Sequence, residues 1–578
     1  MCKHLIMTET RSISQRVIWA GMSLCVLCLA YFYMLDRIFF SSMSFSPIFR
    51  FLLAPDLKAA WIGLAICCLA ALWNRPEPIL RLVDSLSERA AWVAWLSVAA
   101  FALGAVAIYH NYPLSMDEYA AVFQSKIFAA GHLSAQLPPS YIDWLVVRGF
   151  NGEFLIASRE TGSVIEAYWP GFALLLAPFE FLHAQWLCNA CLAGLALLLI
   201  HWITQETTQD KCAAGWALLF ALGSGAFAAN AISFYSLQAH LTANLLFAAL
   251  LLRPNRYRAL CAGLVGSLAL ILHNPLPHAL FACPWLMAIV MNRNQRRYCL
   301  PLILGYLPGV CIGLGWLLFK SHIASVGGLT NGVFTWPDLS VLNTRAASFV
   351  KMWVWAVPSL FVFAGLGLVR HRENLQVRLL ALSAVLSFAG YLFVTFDQGH
   401  GWGYRYFHPA WGVIPILAGC AMTGRSDANL KVASFAGACA ILSLVIMVPF
   451  QLNEIQQFIS QHLAQLGPPG RPGNNVYFMR PRGGFYVADL VQMDPYLRDA
   501  DLFLVTRGAD LDAKMVLLNW PGAVKIGSGR AFEQWYLGPL DRRRAMHCGE
   551  LMRFKLPAAC FELLPAGDLS IPPSAADR

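Results

Sequence analysis

Runs of mostly apolar residues recur along this chain, at roughly 16 to 36, 58 to 74, 90 to 110, 185 to 204, 212 to 230, 240 to 253, 259 to 275, 278 to 292, 299 to 319, 349 to 369, 376 to 396, 408 to 424 and 431 to 450. An α-helix needs about 20 such residues to cross the hydrocarbon core of a bilayer. The pattern predicts an all-α polytopic membrane protein with about 13 transmembrane helices. Composition agrees, because 58% of residues are hydrophobic and only 13% charged, outside the range of a soluble globular chain. No small-residue cleavage site follows the first run, so it is expected to stay as a helix.

Lys and Arg are split unevenly between alternate loops. Eighteen fall on the side that includes Lys3, Arg75, Arg253, Arg293 and Arg370, and nine on the other. The richer side is expected to be cytoplasmic, so the N-terminus is inside and the loop 111–184 and the tail 451–578 are external. This topology signal accounts for much of the net charge of +10, and no nucleic-acid partner is needed to explain it. Fourteen of the sixteen Cys lie in the N-terminal tail or in and beside apolar runs. Cys548 and Cys560 stand apart in the tail, where an oxidising compartment would permit a disulfide.

Three parts follow: residues 1–89 with two helices, a transmembrane core 90–450 carrying the loop 111–184, and a soluble tail 451–578 beginning after "GPPGRPGNN". Within the tail "NNVYFM", "DLFLVT" and "MVLLNW" read as strands and 453–466 and 489–499 as helices, a small α/β module. Its "GSGR" at 527–530 is too short for a phosphate loop and makes a turn.

The stretch "NYPLSMDEYAAVFQSKIFAAGHL" from Asn111 carries the clearest candidate chemistry. Ser115 with Glu118 three residues on is a capping-box spacing, which puts Asp117 in the first turn of a helix running to about His132. Tyr119, Ala120, Phe123, Ile127 and Ala130 share one face, while Asp117, Glu118, Ser125 and His132 fall towards another. An amphipathic helix lying on the outer membrane surface is expected, with Lys126 reaching the headgroups. Capping needs only one of the two acids. Asp117 is therefore the first candidate for catalysis, and Glu118 the second.

These residues, with "YWPGFALLLAP" from Tyr168 and "GHGWGYRYFHPAWGVIPILAG" from Gly399, resemble in content and order the GT-C membrane glycosyltransferases. The likeness is to bacterial relatives of protein O-mannosyltransferases and lipid A aminoarabinose transferases, over about residues 90 to 450. It implies transfer of a sugar from a polyprenyl-phosphate-linked donor to an acceptor hydroxyl of a glycan, lipid or protein on the external face, in a multi-pass protein of a bacterial inner membrane. A hydroxyl nucleophile needs a base, which Asp117 matches by position, and the departing lipid phosphate needs cations. Arg405 is the best of these, since its planar fork can grip phosphate and the adjoining glycines allow close approach. Alternatively Arg405 snorkels to the interface beside Tyr404 and Tyr406.

Arg148 and Arg159 are weaker cation candidates, because a long exposed loop carries charge for solubility anyway. Tyr168 is expected to line the site, with Pro170 and Gly171 structural. His240, His273, His278, His400 and His408 all map to external span ends and could converge on one cavity. Two departures from the family pattern stand out. Ala167 occupies the place of a Lys before the aromatic-Pro segment, and Gln238 and His240 stand where relatives often carry an acid.

No His/Cys/carboxylate spacing marks a metal site, although Asp117 and Glu118 with a distant His could bind a divalent ion. Rival readings are a transporter or flippase of lipid-linked saccharide and a non-catalytic scaffold. Against transport, no repeated pair of interrupted helices is visible.

Overall fold

The computed structural model describes residues 2–35, 37, 47–323, 336–394, 400–424, 427–468 and 470–539. Cys548 and Cys560 lie outside the described residues. The chain divides into two compact units, one formed by Met1–Tyr112, Trp186–Gly313 and Thr330–Gln457, the other by Pro113–Gln185, Leu314–Leu329 and Phe458–Arg578.

The first unit is helical. Among the described residues of the whole chain, seven helices are long and apolar enough to cross a membrane: Gln15–Met34, Phe51–Leu72, Ala90–Ala107, Leu187–Thr208, Arg296–Ile323, Leu375–Phe393 and Leu430–Leu466. Several present large apolar side chains outward, as Ala90–Ala107 does with Trp92, Trp95, Leu96 and Leu103. A hydrocarbon solvent, unlike water, makes such a face stable. The protein is a multi-pass membrane protein.

The count of thirteen full spans is not reproduced, because several apolar runs are broken. Lys211–Leu222 and Gly225–Ile232 form a pair bent by 66°, the geometry of a broken span or a re-entrant loop. The run at 349–369 is divided between Leu339–Val354 and Leu360–Arg370. Pro358 and the left-handed Ser359 (φ 71°) separate them. The run at 408–424 begins as a 3-10 helix, Arg405–Ala410, and leaves only Val413–Cys420 as α-helix. Hydropathy averages over these breaks.

Close helix packing uses small residues where a side chain would collide. A Cβ on Gly263 would stand 2.2 Å from the Leu302 carbonyl oxygen and 2.7 Å from the Gly305 Cα, so the helices Arg256–Ile271 and Cys299–Ile323 meet backbone to backbone.

The second unit has its own core. Tyr119, Phe123 and Ile127 of the helix Met116–Ala129, and Tyr141 and Trp144 after it, are buried with Val476, Phe478, Leu502, Leu504, Met515 and Trp535. Residues from the loop and the tail therefore share one hydrophobic cluster. Within the loop, a three-stranded antiparallel sheet orders Ala135–Gln136, Ser163–Glu166 and Leu155–Ala157. In the tail, four strands run in the order Asp501–Val505, Asn474–Met479, Phe532–Gly538 and Val524–Ser528, the first pair parallel and the others antiparallel.

The strands expected at "NNVYFM" and "DLFLVT" are present. "MVLLNW" instead completes the helix Ala509–Asn519, which buries Asp512, Met515 and Val516 and leaves Leu517 and Leu518 exposed. That three- to four-residue spacing is helical, and only sheet partners could have made the run a strand. The region 489–499 holds only the end of a short 3-10 helix, Val487–Leu490.

Candidate functional site

The helix Met116–Ala129 starts as its sequence dictates. Ser115 and Glu118 form the reciprocal capping box, and a Glu118 carboxylate oxygen accepts from the Leu114 N–H at 2.7 Å and the Ser115 N–H at 3.3 Å. Glu118 is fully buried. Its carboxylate is thus committed to orphan donors at the helix start. Asp117, one residue earlier, is half-buried and accepts a hydrogen bond from the Tyr168 hydroxyl.

The helix is covered by protein on its apolar and polar faces alike, not laid open on one side. Ten of its fourteen residues are buried, among them Glu118, Gln124 and Ser125 on the polar face. Lys126 pairs with Asp494 at 3.3 Å in place of headgroups. Tyr119 explains the difference: its hydroxyl donates to the Met493 carbonyl at 2.8 Å and accepts from the Met493 N–H at 3.0 Å. A helical wheel assigns faces but not the partner that covers them.

A third acid, absent from the sequence reading, belongs to this neighbourhood. Gln492 donates to the Pro113 carbonyl at 2.7 Å, which ties the segment 489–493 to the start of the helix. Burial pushes the Asp489 carboxyl up to about 8, and the negative charges of Asp117 and then Glu118 push the same way. The signal in sequence was only "VADL", one acid in a short loop.

Tyr168 is held from behind. Trp316 donates its indole N–H to the Tyr168 carbonyl at 2.8 Å, and the Lys320 ammonium donates to the Ala167 carbonyl. Glu166 is buried, its backbone N–H given to Gln124 Oε1 at 3.1 Å. Arg159 is exposed and spends its guanidinium on Asp143, with N–O distances of 3.0 and 2.8 Å, while Arg507 reaches the other Asp143 oxygen at 2.7 Å. Burial opposes ionisation of Asp143, yet the two Arg together hold its carboxyl below the ordinary range.

Arg148 is exposed at the start of the 3-10 turn Arg148–Phe150, and the candidate histidines, Tyr404 and Arg405 belong to the first unit. His400–Gly401 and Gly403–Tyr404 pair as a two-stranded hairpin; the His400 side chain lies outside the described residues. Gly403 has φ +79°, a conformation that favours glycine, and a Cβ there would stand 3.3 Å from the Trp355 side chain. Tyr404 is buried 5.9 Å beneath the Arg345 guanidinium. Arg405 lies 4.9 Å over the Tyr235 ring and 5.7 Å from that of Tyr406, a stacked cation.

The histidines have separate fates. His278 bonds Asn244 and Tyr306, each at 2.7 Å, and His408 bonds Gln238 at 3.0 Å. His240 is fully buried with no hydrogen-bond partner on either ring nitrogen among the described residues, within electrostatic reach of His273 and His278. His273 is half-buried.

Sequence reading also missed a buried ion pair. Lys351 and Asp56 meet at 2.7 Å with almost no exposure, and Trp355 donates to the same carboxylate at 2.7 Å. Lys351 is one charge near the start of an apolar run and Asp56 lies just ahead of another, so neither gives much signal. No group of three or more His, Cys, Asp or Glu among the described residues is arranged to hold a metal ion.

No family model matches the chain, and no curated protein matches it. Among solved structures, it is similar to ArnT from Cupriavidus metallidurans in the apo state, at 11% identity and TM-score 0.44 over 77% of this chain and 97% of that one. ArnT from the same organism bound to undecaprenyl phosphate gives 11% identity and TM-score 0.45 over 77% and 98%. At that identity and score, the likeness carries no argument about residues, substrate or activity.

Proposed function

We propose that this chain is an integral-membrane glycosyltransferase that moves a sugar from a polyprenyl-phosphate-linked donor to an acceptor hydroxyl on the external face of the membrane. The observation that carries the reading is the Tyr168–Asp117 hydrogen bond. It joins the acid of "MDEY" to the aromatic of "YWPG", two segments on which the GT-C resemblance rests, within one compact unit. In this reading residues 90–450 hold the transferase core, residues 1–89 are an addition, and 451–578 form the external domain.

The acids divide their work by environment. Glu118 is buried and bonded to backbone donors, so it caps the helix. Asp117 is half-buried, with Tyr168 fixing its orientation, and can take a proton from an acceptor hydroxyl. As that oxygen bonds to the sugar's anomeric carbon, the bond from that carbon to the donor phosphate breaks. The electron pair leaves on the lipid phosphate, and the proton rests on Asp117.

The test is transfer by purified protein supplied with the lipid-linked sugar. Asp117→Asn should lower the rate ~100-fold to ~10,000-fold, the usual worth of a general base. Glu118→Gln, which can still complete the capping box, should fold and lose little. Transfer at the parent rate by Asp117→Asn would remove Asp117 from the chemistry. Movement of the lipid across vesicles by the unmutated protein, with no transfer, would favour a transporter.

A further inference from the structure

Lys320 occupies the last turn of the 25-residue helix Cys299–Ile323, in the part of it that belongs to the same unit as Asp117 and Tyr168. Trp316 and Lys320 are four residues apart and share a helix face. They donate to the carbonyls of Tyr168 and Ala167 respectively, so two consecutive backbone oxygens are read by one helix end. An ammonium carries three donor hydrogens. Among the described residues the Ala167 carbonyl is the one hydrogen-bond acceptor recorded for Lys320, and no carboxylate lies within ion-pair distance.

Glu166 is within electrostatic reach of Lys320, and the two side chains form neither an ion pair nor a hydrogen bond. Glu166 is 1% exposed, and its Oε1 has no hydrogen-bond partner among the described residues. Burial drives its carboxyl well above the usual range, against the opposing pull of Lys320. A half-buried ammonium with donor hydrogens left over and no ion-pair partner among the described residues costs free energy unless an anion completes it. Lys320 also sits one residue from the backbone of Tyr168, whose hydroxyl is on Asp117.

We propose that Lys320 binds an anionic phosphate oxygen of the polyprenyl-phosphate donor, using the ammonium hydrogens not given to Ala167. The inference rests on the transferase reading above and adds to it a donor-binding residue that the sequence motifs do not contain. A phosphate oxygen could also come from a bulk phospholipid headgroup, since Lys320 ends an apolar helix. The experiment separates the two sources.

The full-length protein is placed in phosphatidylcholine nanodiscs with a polyprenyl monophosphate, or with phosphatidylglycerol at the same mole fraction. Acylation of Lys320 by an amine reagent is read by peptide mass spectrometry. Polyprenyl phosphate should protect Lys320 and phosphatidylglycerol should not. Lys320→Met should raise the Kd for polyprenyl phosphate about 10- to 100-fold, as expected for one lost charged hydrogen bond. Lys320→Arg, which keeps charge and donors, should stay within about threefold of the parent.

Parent affinity in Lys320→Met, or no protection by polyprenyl phosphate, overturns the proposal. Equal protection by phosphatidylglycerol makes Lys320 a headgroup anchor and overturns it as well. If Lys320→Met does not fold, protection in the unmutated protein decides. Lys320-dependent binding without sugar transfer would sink the transferase reading and leave the phosphate site standing. Transfer by a protein whose Lys320 is unprotected would do the reverse.

Discussion

Tyr168 donates its phenolic hydrogen to the Asp117 carboxylate across 51 residues of chain. The bond links the loop that precedes the helix Gly171–Glu180 to the first turn of Met116–Ala129. It makes the orientation of Asp117 depend on Tyr168, and through the carbonyls of Ala167 and Tyr168 on Lys320 and Trp316.

Tyr168→Phe removes the hydroxyl and little else. Sugar transfer should fall about 10- to 100-fold, since a hydrogen bond to a charged group contributes roughly 1.5–3 kcal/mol, with the melting temperature little changed. An unaltered kcat in a folded variant would make the bond structural only.

Asp489 should give stability a distinctive pH dependence. Its folded carboxyl titrates near 8, raised first by burial and then by Asp117 and Glu118. In the unfolded chain it titrates near the usual ~3.9. Between those values the unfolded state has lost the proton and the folded state keeps it, so this group makes stability fall as pH rises from about 4 to about 8, with no further loss above. Asp489→Asn should abolish that component and stabilise the protein at pH 8 relative to the parent. Melting curves that keep the same pH dependence in both proteins would refute the assignment.

The Lys351–Asp56 pair is closed off from solvent. Asp56→Ala should destabilise the protein by about 3–5 kcal/mol, because it strands a buried ammonium and takes the acceptor from Trp355. Asp56→Leu combined with Lys351→Met should recover most of that loss. Denaturation in detergent reads both, and a double variant no better than the single would argue for a polar function of the pair.

Loop charges predict that 111–184 and 451–578 are external. Reporter fusions at Asn151 and Asn475 should both report that compartment. A cytoplasmic signal at either position would move the proposed chemistry to the other face of the membrane.

Local sequence determined what depends on local physics. Apolar runs of membrane length mark the chain as a multi-pass protein, because backbone polar groups in lipid must be satisfied within a helix. Ser115 and Glu118 define a helix start because capping acts over three residues. "NNVYFM" and "DLFLV" are strands in the fold as in the sequence reading. Tertiary structure decided the rest. The burial of the polar face of Met116–Ala129 and the pairing of Lys351 with Asp56 both depend on groups far away in sequence. The same holds for Asp489 beside Asp117 and for Lys320 at Ala167. Periodicity tells which residues share a face, but a charge takes its partner and its protonation from whatever the folded chain brings against that face.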